Sequence, residues 1–347
     1  MSVMSAQTND INNTKGTNDL INAGNSPSVN SLSAPKVNHL VSFAHGLGLN
    51  TKRTENGSLL IDAGIDSYGS IEAGRQIAEI CLGGLATARL RAARDYQNWP
   101  WHVDVHTSHP VIACLASQYA GWSLSHGQGK STFNALGSGP ARALGSREPL
   151  LAEIGYRDEA DATCIVLEVD RIPPVEIADK IAERCRVMPE NLTLILTPTS
   201  SLAGAVQVVA RVFESALHKA HTLNFPLDEI VDGMGTVPLC PPSPDFLTAM
   251  SRTNDAILFG GHVHLFTSSG DEDAEDLARR LPSNTSQDYG RPFAEVFKDA
   301  NFDFYKLDPM LFSPARVTVS SLRTGHSFQA GDVNMQALNT SFTSIFS

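Results

Sequence analysis

LILTPTSSLAGAVQVVARVFESALHKAH, from Leu194 to His221, decides how the chain is read. It begins as an apolar run of strand length, Leu194 to Leu196, stopped by Pro198, whose missing N–H cannot serve a central ladder. A helix is predicted to follow. Val206, Val209, Phe213 and Leu217 recur at the spacing of a core-facing stripe, widened by Val212 and Ala216. The polar residues Gln207, Arg211, Glu214 and His218 fall in one narrow row on that helix. Two readings of the row stand. As a solvated face, its Arg–Glu pair contributes a few tenths of a kcal/mol. On a helix otherwise so apolar, a carboxylate, a guanidinium and an imidazole in one row instead line a cleft.

The rest of the chain sets the frame. Its 347 residues suffice for two domains, and 42% apolar with 18% charged residues is a globular composition. A formal charge of −11 disfavours a nucleic-acid partner, since no excess of Lys and Arg exists to displace counterions. No run approaches the length of a membrane span, and no secretory signal opens the chain. Cys81, Cys114, Cys164, Cys185 and Cys240 are widely spaced and form no C-x-x-C pair. They read as buried free thiols in a reducing compartment, which makes the cytoplasm the expected location.

Residues 1–35 are rich in Asn, Ser, Thr and Gly and are expected to form a disordered tail. Two α+β domains, contiguous or discontinuous, are expected to follow, with an approximate division into 36–150 and 151–347, because strands and helices interleave without regular βαβ spacing. Helices are predicted from Ile71 to Gly83-Gly84, from Val111 to about Ala120 and from Val175 to Cys185. Asp232–Asp245 is expected to be an irregular loop, since it is dense in Gly and Pro. Arg252, Asn254 and Asp255 are read as a polar turn before a strand.

Two further clusters carry possible chemistry. His102, His106 and His109 lie on or beside a predicted strand, where His102 and His106 share a face. Asp104 is assigned to the other face, so no carboxylate completes a set, and no metal site is expected. Gly137-Ser138-Gly139-Pro140 opens a helix with exposed N–H groups, and Arg142 is placed to reach an anion held there. A plain Gly-rich loop explains that stretch equally well, because it matches no nucleotide-binding fingerprint.

The segments CLGGLAT, ALGSGPARAL, LTPTSSLAGAVQVVARVFESALHK, RTNDAILFGG, DYGRPF and DFYKLDP, in this order, resemble the methenyltetrahydromethanopterin cyclohydrolases, over nearly everything from about Val37 to Val333. The resemblance implies two α+β domains with a substrate pocket between them and a homo-oligomer, typically a trimer. It implies reversible hydrolysis of the methenyl bridge between N5 and N10 to the N5-formyl compound, with a pterin substrate and no separate cofactor. The family's essential Arg and Glu fall on Arg211 and Glu214. Gly137, Ser138, Gly139, Arg142, Gln207 and His218 are the accompanying substrate-binding candidates. Trp99-Pro100-Trp101 and the pair His262 and His264 depart from the pattern. The competing functions are a metal-dependent hydrolase built on the three histidines and a non-catalytic pterin-binding protein in which Arg211 and Glu214 form a structural ion pair.

Overall fold

The computed structural model describes residues 26–93, 98–129, 132–303 and 306–344. The strands are β1 (Asn50–Arg53), β2 (Leu59–Asp62), β3 (Ala86–Ala92), β4 (Trp101–Thr107), β5 (Trp122–His126), β6 (Phe133–Ser138), β7 (Thr163–Leu167), β8 (Leu192–Leu196), β9 (Ile230–Pro238), β10 (His262–Thr267), β11 (Arg316–Ser321) and β12 (Ser327–Gly331). The α-helices are α1 (Val29–Ser42), α2 (Ile71–Cys81), α3 (Ala141–Gly145), α4 (Pro149–Ile154), α5 (Val175–Cys185), α6 (Leu202–Val209), α7 (Val212–Thr222), α8 (Phe246–Gly260), α9 (Asp271–Arg280), α10 (Phe293–Asp299) and α11 (Met335–Thr343).

The strands form two mixed sheets of six, in the orders β1-β2-β8-β7-β6-β5 and β12-β11-β10-β9-β4-β3. This is the expected α+β class. Each sheet draws strands from both sides of residue 150.

In the first sheet β7, α5 and β8 form a parallel crossover, with Ile165 opposite Leu194. Leu194, Leu196, Ile165 and Leu167 pack with Ile177 and Ile181 of α5, while Ile195 and Val166 pack with Leu40, Ile77 and Ile80 of α1 and α2. Apolar cover on both faces is why these strands read as unbroken apolar runs. The second sheet has one covered face. Val263 and Leu265 of β10 enter the core, and His262, His264 and Phe266 alternate onto the half-open side. His262 and His264 bond there to Thr318 and Ser320, which accounts for their polarity.

Three expectations change. The first 25 residues of the predicted tail lie outside the described residues, but α1 already starts at Val29 and carries Pro35 within it. Val29 is fully buried, and Asn30 donates from its backbone N and its Nδ2 to Asp158 Oδ2 at 2.9 and 2.8 Å. Composition missed this segment because its order comes from distant partners. Next, the Gly-rich loop begins as β9. A Cβ on Gly233 would lie 2.5 Å from Phe213 Cζ, so glycine here lets α7 approach the strand. Finally, Arg252, Asn254 and Asp255 lie inside α8, where Asp255 is wholly buried and accepts from Ser251, Ser341 and the Phe293 N–H.

Candidate active site

The predicted single helix after β8 is two. α6 ends at Val209, α7 starts at Val212, and Ala210 and Arg211 form the break between them. Packing imposes it. α6 lies against α2, close enough that a Cβ on Gly74 would sit 2.6 Å from the Ala203 carbonyl, whereas Val212 and Phe213 of α7 press onto β9. Each half follows a different sheet, and Arg211 stands at the junction.

Arg211 is fixed by neutral acceptors. Its Nη1 donates to the Gln118 carbonyl at 2.7 Å, and its Nη2 donates to Ser138 Oγ at 3.1 Å and Gln207 Oε1 at 3.3 Å. Gln207 is fully buried, and its Nε2 donates to Thr197 Oγ1 at the end of β8. Ser138 Oγ donates to the same Gln118 carbonyl at 2.6 Å. That carbonyl ends Val111–Gln118, predicted as an α-helix and found as a π-helix, a form frequent at functional sites. The negative end of the helix suits a cation.

Glu214 occupies the first turn of α7 and is 7% exposed. Among the described residues its carboxylate accepts no hydrogen bond and forms no ion pair. Burial pushes its pKa from 4.5 up to about 7, against the pull of the Arg211 and Arg142 guanidinium groups. The Cys114 thiol, on the π-helix, is raised well above its usual value by burial and then by the nearby Glu214 charge. The expected row therefore survives the break in part: Gln207 and Arg211 touch, and Arg211 reaches Glu214 through its field. His218 instead stacks on Tyr119 with ring centroids 4.7 Å apart, and burial lowers its pKa.

The Gly-rich stretch does something other than expected. Gly137 and Ser138 belong to β6, paired with Leu167 and Val166, and the Gly139 N–H donates to the Ser117 carbonyl at 2.8 Å. Arg142 has no exposed surface. Its Nε and Nη2 hold both oxygens of Glu148 and its Nη1 donates to the Leu115 carbonyl at 2.8 Å, while the guanidinium lies over Tyr119. All of this fixes Arg142 as a buried brace of the π-helix, not an anion hook at the surface. Ser138 is the member of the stretch that meets Arg211.

These features place a buried carboxylate and a clamped guanidinium beside one helix end, and the comparisons with known proteins bear on what they belong to. The profile described as "Cyclohydrolase (MCH)" matches residues 28–342. The chain belongs to this cyclohydrolase family. A methenyltetrahydromethanopterin cyclohydrolase of Methylobacillus flagellatus is 57% identical over 316 residues, 91% of this chain and 95% of that protein. One of Xanthobacter autotrophicus is 56% identical over 89% of this chain and 90% of its own length. The protein of that name from Methanothermobacter marburgensis is 43% identical over 91% of this chain and 99% of its own.

Within this cyclohydrolase fold the three histidines have other partners or positions. His102 donates to or accepts from Thr236 Oγ1 at 3.4 Å, and burial lowers its pKa to about 4. His106 is 3.1 Å from Asp232 Oδ1. Asp104 shares their face, as the two-residue period of a strand requires, so its assignment to the other face is corrected; it pairs with Arg91 at 2.5 Å. Among the described residues no group of three metal-ligating side chains converges. The residues that sequence reasoning passed over are Gln118, Tyr119 and Cys114. A glutamine closing the apolar run VIACLASQ is the one signal that pointed to them.

Proposed function

We propose that the protein catalyses reversible hydrolysis of 5,10-methenyltetrahydromethanopterin to the 5-formyl compound, with Glu214 as the proton-transfer group and Arg211 as the group that sets its charge. The observation that carries the assignment is a buried carboxylate that no donor among the described residues occupies and whose pKa stands at about 7. Such a group is a usable base near neutral pH. The relatives' names supply the substrate, and the α6–α7 junction beside Glu214 is the proposed place for its methenyl carbon.

The methenyl carbon is electrophilic because it shares a positive charge with N5 and N10. Water adds to it, the C–O bond forms, and the electron pair of the C=N bond moves onto nitrogen. Glu214 takes the water proton. In the second half the adduct's hydroxyl becomes the formyl carbonyl as the bond to N10 breaks; N10 takes the proton held by Glu214, and the hydroxyl proton leaves to solvent. One proton is released in balance with the lost cationic charge. The ionised Glu214 also favours the bound cation before attack.

No cofactor beyond the pterin is part of this reading, and a homo-oligomer, trimeric by the family resemblance, and a cytoplasmic location are. Among the described residues no helix is long and apolar enough to cross a membrane. The test is loss of the methenyl chromophore with methenyltetrahydromethanopterin beside methenyltetrahydrofolate. Rapid turnover of the first and slow turnover of the second is expected. Binding of the first without turnover would favour the pterin-binding alternative.

A further inference from the structure

A buried base has to exchange protons with the water outside, and α7 has one side that opens. Arg211, Ser215, His218 and His221 are half-buried at steps of three and four, and every residue between them is buried. Glu214 borders that stripe. His218 stands one turn further along it, at a spacing that puts the two Cβ atoms about 6 Å apart. Its imidazole is held without hydrogen bonds. It stacks on Tyr119 with ring centroids 4.7 Å apart, Tyr119 lies under the Arg142 guanidinium, and among the described residues neither nitrogen of the His218 ring has a hydrogen-bond partner. A ring fixed by its face keeps both nitrogens available, one to take a proton and the other to give one up. The neighbouring groups are unsuited to that task. Arg211 and Arg142 stay protonated, burial holds the Cys114 thiol well above its usual value, the Ser215 hydroxyl donates to the Val212 carbonyl, and His221 is bound to Glu153 at 2.7 Å.

We propose that His218 is the proton relay between Glu214 and solvent, across no more than one water. Both protons of the attacking water leave it during hydrolysis. Glu214 passes the first to N10, and as the formyl C=O forms, the carboxylate, ionised again, takes the hydroxyl proton. One nitrogen of His218 accepts that proton and the other releases one to bulk water, which returns Glu214 to its basic form. In the reverse direction the same path brings in the proton that ring closure consumes. Burial and then the His221 charge lower the His218 pKa, so the ring is neutral at pH 7 and readily gives up a proton it has taken. The inference rests on the reading of Glu214 as the base.

His218→Phe keeps the stack on Tyr119 and removes both nitrogens. In dilute HEPES, a buffer too bulky to enter beside α7, kcat for hydrolysis should fall about 100-fold, the lower end of the scale for a positioned proton-transfer group, with KM within about twofold of wild type. Added imidazole, a diffusible ring of the same chemistry, should restore turnover in a saturable way. Wild-type kcat should not respond to it. A structural role alone would not be mended by imidazole. Wild-type kcat in the folded variant at low buffer, or a loss that imidazole leaves unchanged, would overturn the proposal. A large rise in KM with unchanged kcat would overturn it in favour of substrate binding by His218. His218→Gln covers the case in which His218→Phe does not fold, with the same loss and the same rescue expected. Near wild-type turnover in Glu214→Gln would strike the base assignment itself, whereas a slow Glu214→Gln beside an unaffected His218→Phe would strike the relay alone.

Discussion

Arg211 and Glu214, three residues apart, do not form an ion pair: the guanidinium spends its hydrogen bonds on Gln118, Ser138 and Gln207, and the carboxylate has no hydrogen-bond partner among the described residues. The structural ion pair of the pterin-binding alternative is absent from the described residues. A direct pair would have held the carboxylate ionised and occupied. Held apart, Arg211 tempers the effect of burial and leaves both Glu214 oxygens for substrate or water.

The first prediction follows from that field. A base must be ionised to accept a proton, so kcat for hydrolysis should rise with pH through about 7, where Glu214 titrates. Arg211→Gln removes a charge that lowers this pKa. The midpoint of the acid limb should move to higher pH, and Arg211→Lys should show a smaller movement because it retains the charge without the planar fork. An identical pH midpoint in wild type and Arg211→Gln would count against electrostatic control by Arg211.

Stability should respond in the opposite sense to activity. The folded-state pKa of Glu214 lies above its ordinary 4.5, at about 7. The associated stability is fully present below the unfolded value and is lost as pH rises through the folded one. Glu214→Gln removes this penalty. Its melting temperature should exceed wild type at pH 8, by the equivalent of roughly 3 kcal/mol, and the gap should close toward pH 5. Differential scanning calorimetry at the two pH values checks this; a gap equal at both would contradict it.

The strand at Leu194–Leu196, the helix α5 and the α+β class were legible because their causes are local. Leu194, Ile195 and Leu196 advertise a strand covered on both faces, and Val175–Cys185 carries its own helical period. The α6–α7 break was not legible. Ala210 and Arg211 are good helix formers, and what separates the helices is that one follows α2 and the other β9. Gly233 read as loop for a similar reason, since its partner Phe213 is distant in sequence. At the site, the residue types Arg211 and Glu214 were visible. That Arg142 is a brace depends on the π-helix, whose register leaves no mark in an apolar run.

Truncation tests the N-terminal correction. Deleting residues through Pro35 removes buried Val29 and the two Asn30 hydrogen bonds, from the backbone N and from Nδ2, to the Asp158 carboxylate. The loss should be about 3–5 kcal/mol, from one apolar side chain and the donors to Asp158 Oδ2, while the Glu159 N–H keeps its bond to Oδ1. Deletion ending at Asn25 is the comparison. It should melt as the full chain does, and equal melting of both truncations would refute a structural role for the start of α1.

Arg142→Lys separates bracing from substrate binding. Lysine cannot hold both Glu148 oxygens or cover Tyr119 in the same way. Urea denaturation should show a loss of about 2–5 kcal/mol, the range for disrupting a buried pair, while KM of the folded variant stays within about threefold. A large rise in KM with unchanged stability would restore the anion-binding reading.

The most direct measurement is the turnover of folded Glu214→Gln with methenyltetrahydromethanopterin, monitored by loss of the methenyl chromophore. Gln keeps the size and reach of the side chain but cannot take a proton from water. Turnover should fall by about two to four orders of magnitude, the scale of a positioned acid–base group, with the fold intact by circular dichroism. Near wild-type turnover in the folded variant would contradict the assignment of Glu214 as the base.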